Sequence, residues 1–368
     1  VISEYNSALT RKEILIGMVG ANAKTSWAKL SHVPAINALP GMKLAAVATR
    51  NEQSAMEAAE AFGADRWFSD PFAMIYDDLI DIITISIKVP AHRELVLAAV
   101  DAGKAVYCEA PLGRSIAETE EMATAAGSLH TAIGLQGRLN PATRRAAQVL
   151  SSGKIGRPLN ARIVSTTMGF GPELPSAYDY FNKTSSGANL LTITAGHTLD
   201  VVEAVLGPVV EVDARTEILW PTVKLTDIGE DSVRETADQA NILGKRRSGA
   251  AFTADIRGGV APEDAHFSFE ITGEEGWLRL TGDHPYGFQA GDLKLASNIP
   301  FATPEKPAVS GGFMGAVINV GQVYAHLIRD LHAGTYSTPG FDHALHNARL
   351  IDAVRRAAER GKRQQVLE

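Results

Sequence analysis

The first 135 residues alternate short apolar runs with amphipathic stretches, and this rhythm constrains the fold more than any other feature of the chain. Glu13–Val19 (EILIGMV), Lys43–Thr49 (KLAAVAT), Asp81–Ile87 (DIITISI), Ala105–Cys108 and Thr131–Leu135 read as strands. Trp27–Ala38, Glu52–Phe62, Ala91–Ala102 and a segment opened by Ser115 read as helices between them. Asp81–Ile87 is β-branched and almost wholly apolar, the pattern of a strand covered on both faces. Gly103 is placed to stop a helix, and Ser115 has Glu118 three residues on, the spacing of a capping box. Strands alternating with helices imply a parallel sheet with helices on both faces. Such sheets bind ligands beyond the carboxyl ends of their strands.

After about Arg138 the pattern changes. Arg162–Thr167, Val209–Glu217, Gly249–Arg257, Ala265–Thr272 and Trp277–Leu280 read as strands, several with the apolar–polar alternation of a sheet covered on one face. Val320–Ala333 and Phe341–Arg360 read as helices. The fold class is therefore α/β: a nucleotide-type domain over residues 12–135, then an α+β domain with a larger sheet over residues 136–368. A length of 368 residues allows each a core of its own.

Composition narrows the function classes. Lys and Arg total 35 against 42 Asp and Glu, a net charge of −7, which argues against a nucleic-acid partner. No apolar run nears the roughly 18 residues of a membrane span, and Val1–Lys12 shows no secretory pattern. Cys108 is the sole cysteine, so an internal disulfide and a Cys-rich zinc site are excluded. A single thiol fits a reducing cytoplasm, and no metal is expected, since the ten His show no ligand spacing. Gly244–Gly249 (GKRRSG) reads as a polar hairpin turn, with a basic rim near a phosphate the alternative, and Gly361-Lys-Arg-Gln as a solvated helix end.

The first chemical motif is Gly17-Met-Val-Gly20-Ala-Asn-Ala-Lys24, directly after a strand and before a helix. Glycines there let the backbone approach a pyrophosphate, and the helix N-terminus adds N–H groups and a positive dipole end. The pattern is not a G-x-G-x-x-G, so a plain glycine turn is the alternative; the alternation that follows favours a cofactor. The phosphates are then expected near Gly17, Gly20, Ala21 and Asn22. The second strand ends in Thr49-Arg50-Asn51, with no carboxylate before Glu52. A hydroxyl and a guanidinium suit a 2′-phosphate better than a ribose diol, which favours NADP over NAD. A solvated surface Arg50 is the alternative.

At this point the chain resembles the Gfo/Idh/MocA oxidoreductases, over about Ile14 to Lys362. The resemblance rests on Asp81–Ile87 followed by His92, on Ala102–Leu112 (AGKAVYCEAPL), Gly134–Pro141 (GLQGRLNP), Gly153–Gly156, Gly196–Asp200 (GHTLD) and Gly273–Leu280. Gly134–Pro141 and Gly196–Asp200 look most like the branch containing the yeast galactose-regulon repressor. The resemblance implies a Rossmann domain and an α/β domain on a large open, mixed and mainly antiparallel sheet, with homodimers or homotetramers formed through that sheet. It implies an NAD(P)-dependent oxidoreductase passing hydride to or from a secondary alcohol of a sugar, cyclitol or sugar derivative. The alternatives are a non-catalytic dinucleotide-binding regulator and a glycoside-cleaving enzyme using tightly bound NAD.

Departures from the family pattern bear on the chemistry. The usual Glu-Lys-Pro is Glu109-Ala110-Pro111 here, and the usual Asp five residues before the family His is Thr192. His197 alone remains of that set, and an imidazole titrates near neutral pH. A structural, buried His197 is the alternative. Lys88 stands at the end of the Asp81–Ile87 strand and offers an ammonium in place of the missing lysine, or snorkels at the rim. Tyr180 offers a phenolic proton, or packs. Tyr178 and Lys183 share its loop, which should edge a substrate pocket. Arg138 and Asn140 are expected to face that pocket, where Arg could clamp an anionic group. Asp200 caps or orients. His92 and Glu109 are expected on the cofactor side, with His92 as simple packing the alternative.

Overall fold

Six short apolar runs pair in parallel: β1 (Ile14–Val19), β2 (Met42–Ala48), β3 (Arg66–Phe68), β4 (Ile82–Ile85), β5 (Ala105–Cys108) and β6 (Thr131–Ile133). Their order is β3-β2-β1-β4-β5-β6, so the order reverses between β1 and β4. This is the doubly wound arrangement in which ligands lie beyond the carboxyl ends at the reversal. The coordinates are a computed structural model and describe residues 13–24, 26–247, 249–309 and 311–367. The reading of Val1–Lys12, including residue 12 as the start of the first domain, lies outside the described residues.

The crossovers are helical. A π-helical turn (Ala28–His32) runs into α1 (Val33–Ala38), followed by α2 (Glu52–Phe62), α3 (Pro71–Ile75), α4 (His92–Asp101) and α5 (Ile116–Ala126). Asn51 caps α2, its side chain accepting from the Ser54 N–H at 2.9 Å. Ser115 caps α5 from the Glu118 N–H, but the Glu118 carboxylate takes the Arg114 N–H at 2.9 Å, one residue before the box would close. β3 and α3 were not read from the sequence, because a run of three or five residues is too short to show a period.

The second unit opens with α6 (Pro141–Ser151). Its strands are β7 (Pro158–Thr166), β8 (Glu173–Leu174), β9 (Val209–Glu217), β10 (Thr222–Leu225), β11 (Glu230–Val233), β12 (Gln239–Arg246), β13 (Ala251–Arg257), β14 (Phe267–Gly273), β15 (Trp277–Gly282), β16 (Lys294–Ser297) and β17 (Gln364–Gln365). Eight of them form a mixed sheet, β16-β15-β14-β7-β13-β12-β9-β17, in which β7–β13 is the parallel pair. The others form a small sheet, β11-β10-β8. α7 (Gly196–Leu206) follows a π-helical turn, Leu191–Ala195, and supplies Leu199, Val201, Val202 and Val205 to the core beside the large sheet.

The reading of Gly244–Gly249 as a polar turn is corrected. Gly244, Lys245 and Arg246 belong to β12, and the Gly249 N–H donates back to the Arg246 carbonyl at 3.0 Å. Gly244 lies against Phe252, where a Cβ would meet the ring at 2.1 Å. Arg246 is buried, with Nη1 donating to the Leu206 carbonyl at 3.0 Å.

The last two helices are α8 (Ala316–Ala333) and α9 (Phe341–Arg360). The compact units are residues up to Gln136 with Pro307–Leu345, and Gly137–Lys306 with His346 onward. A single division at residues 135/136 therefore differs from the structure: residues 307–345 return to the first unit. Asp330, near the end of α8, fixes the turn between α8 and α9. Its carboxylate accepts from the Thr335, Ser337 and Thr338 hydroxyls and from the Ser337 and Thr338 N–H groups, all at 2.6–2.9 Å. Burial alone would raise this carboxyl, but the hydroxyl and N–H donors outweigh it and hold it well below the usual range. The stabilisation is thus fully present above about pH 4, where the unfolded carboxyl is also ionised, and is lost as pH falls further. Asp330→Asn is expected to destabilise the protein by about 2–3 kcal/mol at neutral pH and to flatten the acid limb of a stability-against-pH curve. An unchanged acid limb would assign acid sensitivity to other carboxyls.

Candidate functional site

In the first unit, Gly20 follows β1 at the order reversal with φ +95°. A Cβ there would lie 2.2 Å from the Ser86 carbonyl oxygen, so the crossing beside β4 admits only glycine. Ala21 is buried behind it. Asn22 closes the turn, its side chain accepting from the Lys24 N–H at 2.8 Å. Gly17, expected near the phosphates, is a closely packed glycine. It lies inside β1, paired with Ala46 and Ile83, and a Cβ would press on Ile80 and Met74 at 3.1–3.2 Å.

Thr49 and Arg50 follow β2. The Thr49 hydroxyl meets the Ser54 hydroxyl at 2.6 Å, while Arg50 is exposed and makes no ion pair with a described residue. A glycine crossing at the reversal, with a guanidinium and no carboxylate beyond β2, fits the phosphates of a dinucleotide. Lys88 is exposed just beyond β4.

His92 is buried, with Nδ1 3.1 Å from the Leu112 carbonyl and Nε2 3.1 Å from that of Ile87. Burial lowers its pKa, and it latches the turn after β4 to the turn after β5. Both ring nitrogens face backbone carbonyls. Glu109 follows β5, with Oε1 2.8 Å from His32 Nε2. The other ring nitrogen of His32 lies 2.9 Å from the Tyr324 hydroxyl, which lies 2.9 Å from Thr84 Oγ1. Sequence reasoning missed His32, Tyr324 and Thr84. The separations of 77, 292 and 240 residues carry no local signal.

In the second unit, His197 is the second residue of α7 and is buried at 5% exposure. Asn347 seats the start of this helix, donating to the Gly196 carbonyl at 3.1 Å. One turn on, the buried Asp200 pairs with Arg138 at 2.5 Å, which neutralises the guanidinium charge. Nearby on α7, Glu203 accepts from His346 at 2.8 Å, and this hydrogen bond raises the His346 pKa. Thr192 lies in the π-helical turn, its hydroxyl accepting from the Asn189 N–H at 2.9 Å. Asn140 caps α6: its side-chain oxygen accepts from the Ala142 N–H at 2.8 Å ahead of Pro141.

The aromatic loop has a support that sequence reasoning missed. Tyr180 and Tyr178 lie against Phe181, at ring-centroid distances of 4.3 and 5.9 Å. Tyr178 is exposed, and burial pushes the Tyr180 phenol up. The Lys183 ammonium donates to the Ser232 hydroxyl and the Val233 carbonyl of β11, at 3.2 and 3.0 Å. Behind the loop, the buried Arg234 donates to Asn182, to the carbonyls of Phe170 and Gly171, and to Asp238. Asp238, also buried, accepts from the N–H groups of Leu219 and Trp220. Among the described residues, no group of three or more His, Cys, Asp or Glu is placed to hold a metal ion. No described helix is long and apolar enough to cross a membrane.

Comparisons with known proteins agree with this division. Residues 14–136 match the family described as "Oxidoreductase family, NAD-binding Rossmann fold", and residues 141–282 match "Gal80p, C-terminal domain". The chain is similar to the dehydrogenase aclE of Aspergillus oryzae, 26% identical over 367 residues, 95% of this chain and 98% of that protein. It is similar to D-apiose dehydrogenase of Paraburkholderia graminis, 25% identical over 346 residues, 90% of this chain and 85% of the other. In fold it is similar to levoglucosan dehydrogenase, solved in complex with NADH and L-sorbose, with a TM-score of 0.82 at 22% identity, covering 96% of this chain and 99% of that one. Together the two family matches, on the doubly wound first unit and the mixed-sheet second unit, show that the chain belongs to the Gfo/Idh/MocA oxidoreductase family, in its Gal80-like branch.

Proposed function

We propose that this protein is an NAD(P)-dependent oxidoreductase acting on a secondary alcohol, or the matching ketone, of a neutral sugar, cyclitol or sugar derivative. The observation that carries the reading is the glycine-only crossing at Gly20, at the order reversal of a sheet of the dinucleotide-binding type. A bound nicotinamide dinucleotide supplies the donor or acceptor of a hydride. The chain's part is to move the hydroxyl proton and to hold the sugar. His197 is the proton-exchanging group, since Ala110 and Thr192 stand where the family's lysine and aspartate would. Arg138 and Asp200 offer hydrogen bonds as a matched pair, which supports a neutral polyol over a sugar acid. The similar D-apiose dehydrogenase favours a carbohydrate.

A screen of sugars and cyclitols following absorbance of the reduced nicotinamide tests this. Turnover of at least one neutral polyol is expected. Tight dinucleotide binding with no turnover in a broad screen would replace the proposal by a regulatory protein, the reading that the loss of lysine and aspartate favours. A homodimer or homotetramer through the large sheet belongs to the same proposal. Its support is the outward row Asn241, Leu243 and Lys245 on β12, all exposed; light scattering of a monomer would remove it.

Preference for NADP is the finer part. Arg50, exposed and without an ion pair among the described residues, is suited to a 2′-phosphate. Arg50→Ala is expected to weaken NADP binding about ten- to a hundredfold and NAD binding little. Equal affinities for the two in the wild type, unchanged in the variant, would assign the site to NAD.

A further inference from the structure

We propose that His32 is a positioning residue for Glu109, and that Thr84, Tyr324, His32 and Glu109 form a buried relay whose one exchangeable proton sets the affinity of the first unit for an oxidised, positively charged nicotinamide ring. The inference rests on the dinucleotide reading of the preceding subsection and deepens it.

The relay joins four separate elements: the π-helical turn before α1, β4, the end of β5, and α8. His32 has no exposure, and both ring nitrogens are engaged, Nε2 with Glu109 at 2.8 Å and Nδ1 with Tyr324 at 2.9 Å. A neutral imidazole carries one N–H, so one nitrogen must accept. The neutral arrangement has Thr84 donating to Tyr324, Tyr324 donating to Nδ1, and the Nε2 hydrogen donated to Glu109. With one more proton both nitrogens donate: Tyr324 accepts from Nδ1 and turns its own hydrogen to Thr84. Both arrangements use the same heavy-atom positions, so the proton enters or leaves without repacking.

The neighbouring titratable groups keep their charge state. Tyr107 lies edge-on to the His32 ring at 5.0 Å, Tyr324 at 5.7 Å, and Cys108 precedes Glu109. Burial raises all three of these, so they stay protonated, and burial lowers His92, which Glu109 also influences. Loss of the relay's exchangeable proton takes the His32–Glu109 pair from a net charge of zero to −1.

Glu109 is seated to pass that charge on. Gly134 backs the carboxylate so closely that a Cβ would stand 2.7 Å from Oε2, while 16% of the Glu109 side chain is exposed beyond β5. This is the carboxyl end of the sheet, where ligands bind. An oxidised nicotinamide ring carries a positive charge that the reduced ring lacks. The deprotonated relay therefore favours the oxidised form selectively.

Calorimetric dissociation constants for NAD⁺, NADP⁺ and their reduced forms, from about pH 5.5 to 9, test the proposal on the wild type, His32→Gln and Glu109→Gln. Wild-type affinity for the oxidised forms is expected to tighten about tenfold as pH rises, the scale of one charge-assisted contact. The reduced forms should change less than about twofold; His32→Gln should be flat, and in Glu109→Gln the rise should move to lower pH with the His32 midpoint. A purely structural His32 would move melting temperature but leave this oxidised-against-reduced difference in place. Nitrogen-15 NMR of labelled histidines, without cofactor, is the second measurement and stands even if His32→Gln fails to fold. The His32 midpoint should fall in Glu109→Gln. A flat wild-type profile, a slope surviving in His32→Gln, or an unmoved His32 midpoint overturns the relay. Failure of the wild type to bind any dinucleotide overturns the functional reading instead, and the NMR midpoint then decides the relay alone.

Discussion

His197→Ala is expected to lose about 10²- to 10⁴-fold in turnover of the sugar substrate, the usual effect of removing a positioned acid–base group. Dinucleotide affinity should stay within about twofold, because Gly20, Thr49 and Arg50 belong to the first unit and His197 to the second. The competing groups are weakened by what they touch. Ala110 has no proton to give. The Thr192 hydroxyl is engaged with Asn189, and the Lys183 ammonium is held by β11. The Tyr180 phenol is pushed up by burial, which makes it a poorer proton donor. Measuring kcat and the dinucleotide dissociation constant separately distinguishes loss of proton transfer from loss of binding. Near wild-type turnover in the variant would move the role to Tyr180 or Lys88.

Arg234→Met should destabilise the protein by about 3–5 kcal/mol, a fall in melting temperature on the order of 10 °C. The pair with Asp238 is fully buried, and removing one partner leaves an uncompensated carboxylate. The same change frees the carbonyls of Phe170 and Gly171 and the side chain of Asn182. Phe170 has φ +63°, an unfavourable conformation for a phenylalanine, and the guanidinium is what holds its carbonyl. Arg234→Lys keeps the charge but not the planar fork, so an intermediate loss is expected. A loss under about 1 kcal/mol in Arg234→Met would show that the aromatic loop is held by Phe170, Phe181 and Tyr180 packing instead.

The dinucleotide-type unit was legible because its strands and helices repeat at lengths that show a period. The strands at Ile14–Val19 and Ala105–Cys108 and the helix at Glu52–Phe62 come within a residue of their reading. The short β3 and α3, and β10, β11 and β16, were not read, since three to five residues fit several patterns equally. β12 was read in part as a turn because Gly244-Lys-Arg-Arg looks polar in sequence, while in the fold Arg246 reaches the Leu206 carbonyl.

By itself the sequence determined which residue types reach the ends of the first strands: glycine after β1, threonine and arginine after β2, glutamate after β5. It also determined that the family's lysine and aspartate are replaced by Ala110 and Thr192. Only the tertiary structure decided which side chains are already occupied. Gly17 proved to be packed, Asn140 a cap, Lys183 tied to β11, and Arg138 matched by Asp200. It alone brought residues 307–345 back to the first unit, with Tyr324 beside His32 and Thr84. The reason is physical. Backbone periodicity and turn chemistry are local and written in consecutive residues, whereas the partner of a buried polar group is chosen by packing between segments up to 292 residues apart.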